Sequence, residues 1–237
     1  MRARAILFDV FGTVVDWRGS VAAALAATGA RHGLVADWSA LADAWRGQYA
    51  PSMNAVRQGR RPWAILDDLH RDAIVNLLPQ FGLQAMVAEA DTLVKIWHHL
   101  TPWPDSVAGL RRLRQNTVVA PLSNGHVALQ IALARYAGIE WDMVFGADIY
   151  RHYKPDSETY LGATALLGLA PGQVMLAAAH NEDLAAARAL GLQTAFISRP
   201  MEFGSPDHRA VPSSDWDYVA TSIEDLADQM QDKTATA

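Results

Sequence analysis

The chain has 237 residues, 51% of them hydrophobic and 19% charged, with a formal net charge of −5. That composition excludes a disordered chain, and the acidic balance speaks against a nucleic-acid binder, which carries a basic surplus. There is no cysteine, which excludes disulfides, thiolate catalysis and cysteine-ligated zinc or iron–sulfur sites and fits a cytoplasmic setting. No stretch approaches the ~20 consecutive apolar residues of a membrane span.

Residues 4–10 are short, apolar and rich in β-formers, and read as a buried first strand. Two arginines ahead of an apolar run also suit a signal peptide, but Asp9 and Gly12 interrupt the run and no clean cleavage site follows. A long helical stretch comes next, with patterns over residues 20–32, 39–49, 63–78 and 84–99, punctuated by Pro51, Gly59 and Pro62. From Thr101 strands and helices alternate. Helices are predicted over 104–114, 126–137, 157–167, 183–190 and from about 222; strands over 117–122, 142–145, 173–178, 194–198 and 218–220. The tail QDKTATA reads as frayed.

Alternation of this length implies a parallel sheet covered by helices on both faces. The fold class is α/β: a Rossmann-like core of residues 1–15 and 101–237, with a helical cap of residues 16–100 inserted after the first strand. In open parallel sheets the site lies at the carboxyl ends of the strands. That rule brings together Asp9, Ser123 with Asn124, and the stretch Ala178 to Asp183, with the cap closing over them.

Asp9, at a strand end with a glycine turn behind it, suits a nucleophile or a simple turn residue. Ser123 and Asn124 suit anion binding or an ordinary turn. Only three lysines occur, Lys95, Lys154 and Lys233. Lys154, fixed before Pro155 in a strand-to-helix loop, is placed to pair with Asp9 and hold it ionised. Asp183 caps its helix or holds that lysine, and His180 is a candidate base or a structural group.

In order, the segments DVFGT, the helical insert, LSNG, YKPDSETY and AAAHNEDLAAARALG resemble the haloacid dehalogenase superfamily over essentially the whole chain. Within it the chain is similar to the type II (S)-2-haloacid dehalogenases, including the cap segment Ala44-Trp45-Arg46. Phosphatases of the superfamily carry a second Asp two residues after the nucleophile, where Phe11 stands here, and a magnesium-holding acid where Ala179 stands. The resemblance therefore implies displacement of a halide without cofactor or metal. Asp9 would attack the α-carbon of a short 2-haloacid, a haloacetate such as fluoroacetate among the candidates. Water would then hydrolyse the aspartyl ester. Thr13 and Lys154 would stabilise Asp9, Ser123 would bind the substrate carboxylate, and Arg46 and Asn124 would receive the halide. Phe11 and Tyr160 join that binding set, and Tyr160 and Asp183 match positions that support the lysine and the water. The family commonly has serine at Ala178 and asparagine at His180, so His180, as a neutral imidazole, is expected to take over water activation, with a role in shaping the halide pocket as the alternative. A homodimer is implied as well. A magnesium-dependent phosphatase and a non-catalytic interaction protein stay open as alternatives.

Most tryptophans of the cap region read as packing residues. Arg57, Arg60 and Arg61 read as a solvated loop. His98 and His99 read as a helix-end feature, because no partner ligands stand at suitable spacing in the sequence.

Overall fold

The computed structural model describes residues 3–207 and 210–235. Its axis is β1 (Ala5–Phe8), a strand in which all four residues are fully buried. Ile6 and Phe8 enter one hydrophobic cluster and Ala5 and Leu7 the other. This is the period-2 alternation of a strand with apolar layers on both faces, which is why it reads as an unbroken apolar run.

Five further strands run parallel to it: β4 (Val118–Ser123), β5 (Phe145–Gly146), β6 (Val174–Ala178), β7 (Gln193–Ile197) and β8 (Tyr218–Ala220), in the order β5-β4-β1-β6-β7-β8. The order reverses at β1, whose neighbours are β4 and β6. Phe8 is in register with Pro121 on one side and Ala177 on the other. Asp9, the next residue, therefore stands at the topological switch point, where open α/β sheets leave a crevice.

The helical insert leaves and re-enters through a two-stranded antiparallel ribbon that the sequence does not announce, β2 (Val15–Asp16) with β3 (Thr101–Pro102). Between them lie α1 (Trp17–Arg31), α2 (Trp38–Gly47), α3 (Tyr49–Arg57), α4 (Leu66–Leu77) and the short α5 (Ala90–Val94), with 3-10 turns at Leu78–Phe81, Gln84–Glu89 and Lys95–His98. After the ribbon come α6 (Ser106–Arg114), α7 (Val127–Ala137), α8 (Ala147–Tyr150), α9 (Ser157–Leu166), α10 (Asn181–Ala189) and α11 (Ile223–Ala235). Helix α11 runs into the tail expected to fray, and residues 236–237 lie outside the described residues. No helix among the described residues is long and apolar enough to cross a membrane.

Three local expectations are corrected. Pro51 does not break the chain but sits in the first turn of α3, where a missing N–H costs no intrahelical bond. The single helix expected over 84–99 is replaced by two 3-10 turns around α5, while Met86, Ala90, Leu93, Val94 and Trp97 stay buried. The periodicity reported the inward face and not the hydrogen-bond pattern. The strand expected over 142–145 shrinks to Phe145–Gly146, because the Asp142 carboxylate accepts the Val119 N–H at 2.9 Å and takes a backbone donor that pairing would use.

Aromatic packing fixes the insert. Trp45 and Trp97 are fully buried and meet edge to face at 5.5 Å, and Trp17 stacks on Trp97 at 6.3 Å. Such pairs add about 0.5–1.5 kcal/mol each beyond area burial. The Trp45 indole also donates to the His70 carbonyl at 2.9 Å, which ties α2 to α4 and sets the direction of the neighbouring Arg46. Arg57 and Arg61 are not merely solvated: they pair with Asp156 and Asp72, each at 2.7 Å. The Arg57 pair links α3 to the loop that carries Lys154.

Candidate active site

Asp9 is held on every side. Its Oδ2 accepts the Thr13 hydroxyl at 2.8 Å and lies 3.0 Å from His180 Nδ1. Its Oδ1 accepts from Lys154 Nζ at 3.0 Å. Burial alone would push the carboxyl up, but the Lys154 ammonium and the contact with His180 outweigh it and keep the group far below the usual carboxylate range. Asp9 is therefore ionised at any working pH, though only 8% of it is exposed.

The loop after β1 owes its shape to Gly12. Its φ is +89°, and a Cβ there would collide with the Glu202 carboxylate. The Arg199 guanidinium secures the loop from below. Its Nε donates to the Thr13 carbonyl at 2.8 Å while its other nitrogens pair with both oxygens of Asp105. The Thr13 hydroxyl oxygen in turn accepts the Ala179 N–H at 2.9 Å, which leaves its one hydrogen for Asp9.

Lys154 has two carboxylate partners, Asp9 and Asp183. Burial favours the neutral amine, but Asp183 and Asp9 reverse this and raise its pKa. Tyr160 donates to Asp183 Oδ1 at 2.5 Å, so Asp183 is occupied by a lysine and a tyrosine instead of capping its helix. The Asn124 carbonyl oxygen accepts the Lys154 backbone N–H at 2.7 Å. Its amide group faces the cavity that it lines, beside Tyr49.

That cavity has a volume of about 190 Å³ and is walled by Asp9, Phe11, Asn124, Lys154, Tyr160, His180 and Asp183 from the sheet side, with Arg46 and Tyr49 from the insert. It is smaller than the roughly 300–1,000 Å³ of sites for drug-sized ligands. The Arg46 guanidinium lies 4.0 Å from the Tyr49 ring centroid and 5.6 Å from that of Trp17, and its buried Nε has no hydrogen-bond partner. No carboxylate pairs with it among the described residues. A cation resting on aromatic faces at a cavity wall is a ready receptor for an anion.

Two placements differ from the sequence reading. Ser123 is buried at the end of β4, its Oγ accepts the Gly125 N–H at 3.1 Å, and it does not line the cavity. It holds the turn that presents Asn124. His180 is not the neutral imidazole expected. Burial disfavours its charge, but hydrogen bonds to Asp9 and Glu202 raise its pKa to about 10. Its Nε2 lies 3.1 Å from both Glu202 oxygens, and Glu202 Oε1 accepts the Trp17 indole N–H at 3.0 Å.

Sequence reasoning did not find Glu202, Tyr49 or the Arg199–Asp105 pair. Glu202 follows β7 on an irregular segment with no motif around it. Tyr49 looks like one more packing aromatic until α3 is seen to start beside Arg46.

The charge on His180 contributes to stability in a definite direction. A raised pKa means that the contribution is whole below the unfolded value near 6.5 and is lost as pH rises through about 10. The thermal midpoint is therefore expected to fall more between those limits in the parent chain than in His180→Asn. Equal slopes in the two proteins would show that His180 is not charged at rest.

A parallel sheet with an ionised aspartate at the carboxyl end of its central strand, and a helical insert closing over it, defines a capped α/β hydrolase. The sequence model of the haloacid dehalogenase-like hydrolases matches residues 3–191, and the chain belongs to that family. It is 28% identical over 218 residues to (S)-2-haloacid dehalogenase 1 of Pseudomonas sp. strain CBS-3, covering 89% of this chain and 92% of that protein. The (S)-2-haloacid dehalogenase of Xanthobacter autotrophicus is 26% identical over 206 residues, 83% of this chain and 75% of that one. Among solved structures, the defluorinating L-2-haloacid dehalogenase Rha0230 superposes with a TM-score of 0.94 at 49% identity, covering 97% of this chain and 95% of that one. The L-2-haloacid dehalogenase PA0810 gives 0.93 at 47%, with coverages of 97% and 99%.

Proposed function

We propose that this chain is a hydrolytic 2-haloacid dehalogenase acting on short (S)-2-haloacids through a covalent ester on Asp9. The observation that carries the reading is the pairing of an ionised, caged Asp9 with an unpaired Arg46 guanidinium across one small cavity. The dehalogenase names of the similar proteins support it.

Oδ2 of Asp9 carries two donors and Oδ1 only Lys154, so Oδ1 keeps a lone pair for the substrate. Oδ1 attacks the α-carbon opposite the carbon–halogen bond, that bond breaks, and the halide leaves with its electron pair. Phe11 stands where a phosphatase would place a proton donor, and a departing halide needs none. Arg46 and the Asn124 amide meet the developing negative charge. Water then attacks the Asp9 carboxyl carbon, and the charge on Oδ2 falls against the Thr13 hydroxyl. One proton of that water passes to a base, the Oδ1 ester oxygen leaves as alkoxide and takes the other, and the 2-hydroxy acid departs with Asp9 restored as a carboxylate.

The cavity volume supports a substrate of two or three carbons, haloacetates and 2-halopropionates, with fluoroacetate among those to be tried. Steady-state halide release from chloroacetate, fluoroacetate and both enantiomers of 2-chloropropionate, in excess chelator, tests the reading. Release with (S) preference is expected. No release from any of the four overturns it.

Arg46→Ala is expected to lower halide release about a hundredfold or more, the usual loss when one preorganised donor to a developing anion is removed. Arg46→Lys should recover part of it, because a point charge replaces the planar fork. A parental rate in Arg46→Ala, measured as kcat, would make the arginine a packing residue of the insert.

A further inference from the structure

His98 is buried and not a surface feature, and it meets two potential ligands that the sequence keeps far apart. Its Nε2 lies 2.9 Å from Asp67 Oδ1 and 3.1 Å from Oδ2, and His126 Nε2 lies 3.8 Å from Asp67 Oδ2. The three ligand atoms fall within 4.8 Å of one another. We propose that Asp67, His98 and His126 form a divalent transition-metal site, best suited to Zn²⁺, that staples the helical insert to the α/β core.

The geometry is close to what the ion requires. Tetrahedral zinc with bonds of about 2.0–2.1 Å separates its ligand atoms by about 3.3–3.5 Å. Through Asp67 Oδ2 the observed 3.1 and 3.8 Å straddle that range, and the ligand atoms all lie within 4.8 Å of one another, so rotation of the side chains closes the site. Two imidazoles and a carboxylate are the donor set of three-ligand zinc sites, with the fourth position left to water.

A second observation points to a missing partner. His126 is only 6% exposed, its ring makes no hydrogen bond among the described residues, and its buried Nδ1 is unsatisfied. The atom that bears on the site is Nε2, which makes no hydrogen bond among the described residues and faces Asp67 Oδ2 at 3.8 Å; a metal between them would take its lone pair, while Nδ1 stays on the far side of the ring. The three groups also come from three different elements. Asp67 is in the first turn of α4, His98 ends the 3-10 turn Lys95–His98, and His126 precedes α7 of the core, two residues after Asn124. An ion there would bond the insert to the segment that presents Asn124.

At present the cation on Asp67 is Lys95, whose Nζ lies 2.6 Å from Oδ2. Its side chain is 55% exposed, so it can turn out to solvent and give up the carboxylate. This competitor gives the proposal a test whose sign an adventitious surface site would not share.

The experiment titrates the metal-stripped full chain with Zn²⁺ against a chromophoric chelator, with Co²⁺ as a spectroscopic probe. One tight ion per chain is expected, with the intense visible absorption of tetrahedral Co²⁺ and a rise in thermal midpoint on binding. His126→Gln and Asp67→Asn should each weaken binding at least tenfold and lose the Co²⁺ band. Lys95→Met should tighten binding several-fold, because the competing ammonium is gone. Lys95 is exposed, so this variant tests the site even where changes at the buried residues unfold the chain. Zn²⁺ affinity unchanged by Lys95→Met, or a Co²⁺ spectrum of six-coordinate form that persists in His126→Gln, overturns the site. Absence of saturable binding overturns it equally.

Discussion

Asp9→Asn is expected to abolish turnover while leaving the fold in place. An amide is a far weaker nucleophile than a carboxylate, and here the carboxylate is kept anionic by two neighbouring cations. The substitution keeps the shape, but Thr13 and Lys154 donate to different oxygens of Asp9, so the amide oxygen can keep only one of the two bonds. What it removes is the anion that His180 and Lys154 share, so a modest loss of stability should accompany the loss of activity. The parent chain should show the covalent path directly. In a single turnover in oxygen-18 water the label is expected in the Asp9 carboxylate, and the product hydroxyl should carry unlabelled oxygen that came from Asp9. Label arriving in the product hydroxyl in that first turnover would mean that water attacks the substrate, and Asp9 would then act at most as a base.

Much of this site was legible because its parts are local. The run from Ala5 to Phe8 is apolar on both faces, so it must be an inner strand, and the polar residue that ends it must lie at the mouth of the sheet. The same reasoning reached Asn124 after β4 and the start of α10. Lys154 stood out because lysine is scarce in this chain and a proline follows it.

The rest depends on contacts that no local pattern encodes. Glu202 reaches His180 and Trp17 from a segment without periodicity, and an acidic residue in a loop gives no sign of burial. Asp67, His98 and His126 are 31 and 28 residues apart in the chain, spacings that match no metal motif. Only the packing of α4, the 3-10 turn and α7 brings them together. His180 was found as a residue but not as a charge, because the carboxylate that fixes its protonation at Nε2 was the one the sequence hid.

That charge shapes the second large expected effect. His180→Asn should slow ester hydrolysis by about 10²–10⁴, the usual contribution of a positioned general base, and change ester formation much less. At rest His180 is a cation between Asp9 and Glu202 and has no lone pair for a proton. Alkylation of Asp9 changes this. The ester is neutral, so the hydrogen bond to the Asp9 anion and its attraction both vanish, and only Glu202 still favours the imidazolium. The pKa must fall, and the Nδ1 proton passes to solvent. Nδ1 then stands beside Oδ2, the ester carbonyl oxygen, where it can accept a proton from water attacking the neighbouring carbon, while Glu202 keeps the Nε2 proton and the ring's orientation. On the proposed path the base would thus be unmasked by the first half-reaction and masked again when the carboxylate returns. Rapid-quench mass spectrometry of His180→Asn should show Asp9 carrying the substrate fragment. In the parent chain the rate of ester breakdown should rise with pH around a midpoint below about 10, the value of the resting histidine. Breakdown at the parental rate with no accumulated ester would remove His180 from the water step. A changed fluoride-to-chloride rate ratio in that case would place its ring in the halide pocket instead.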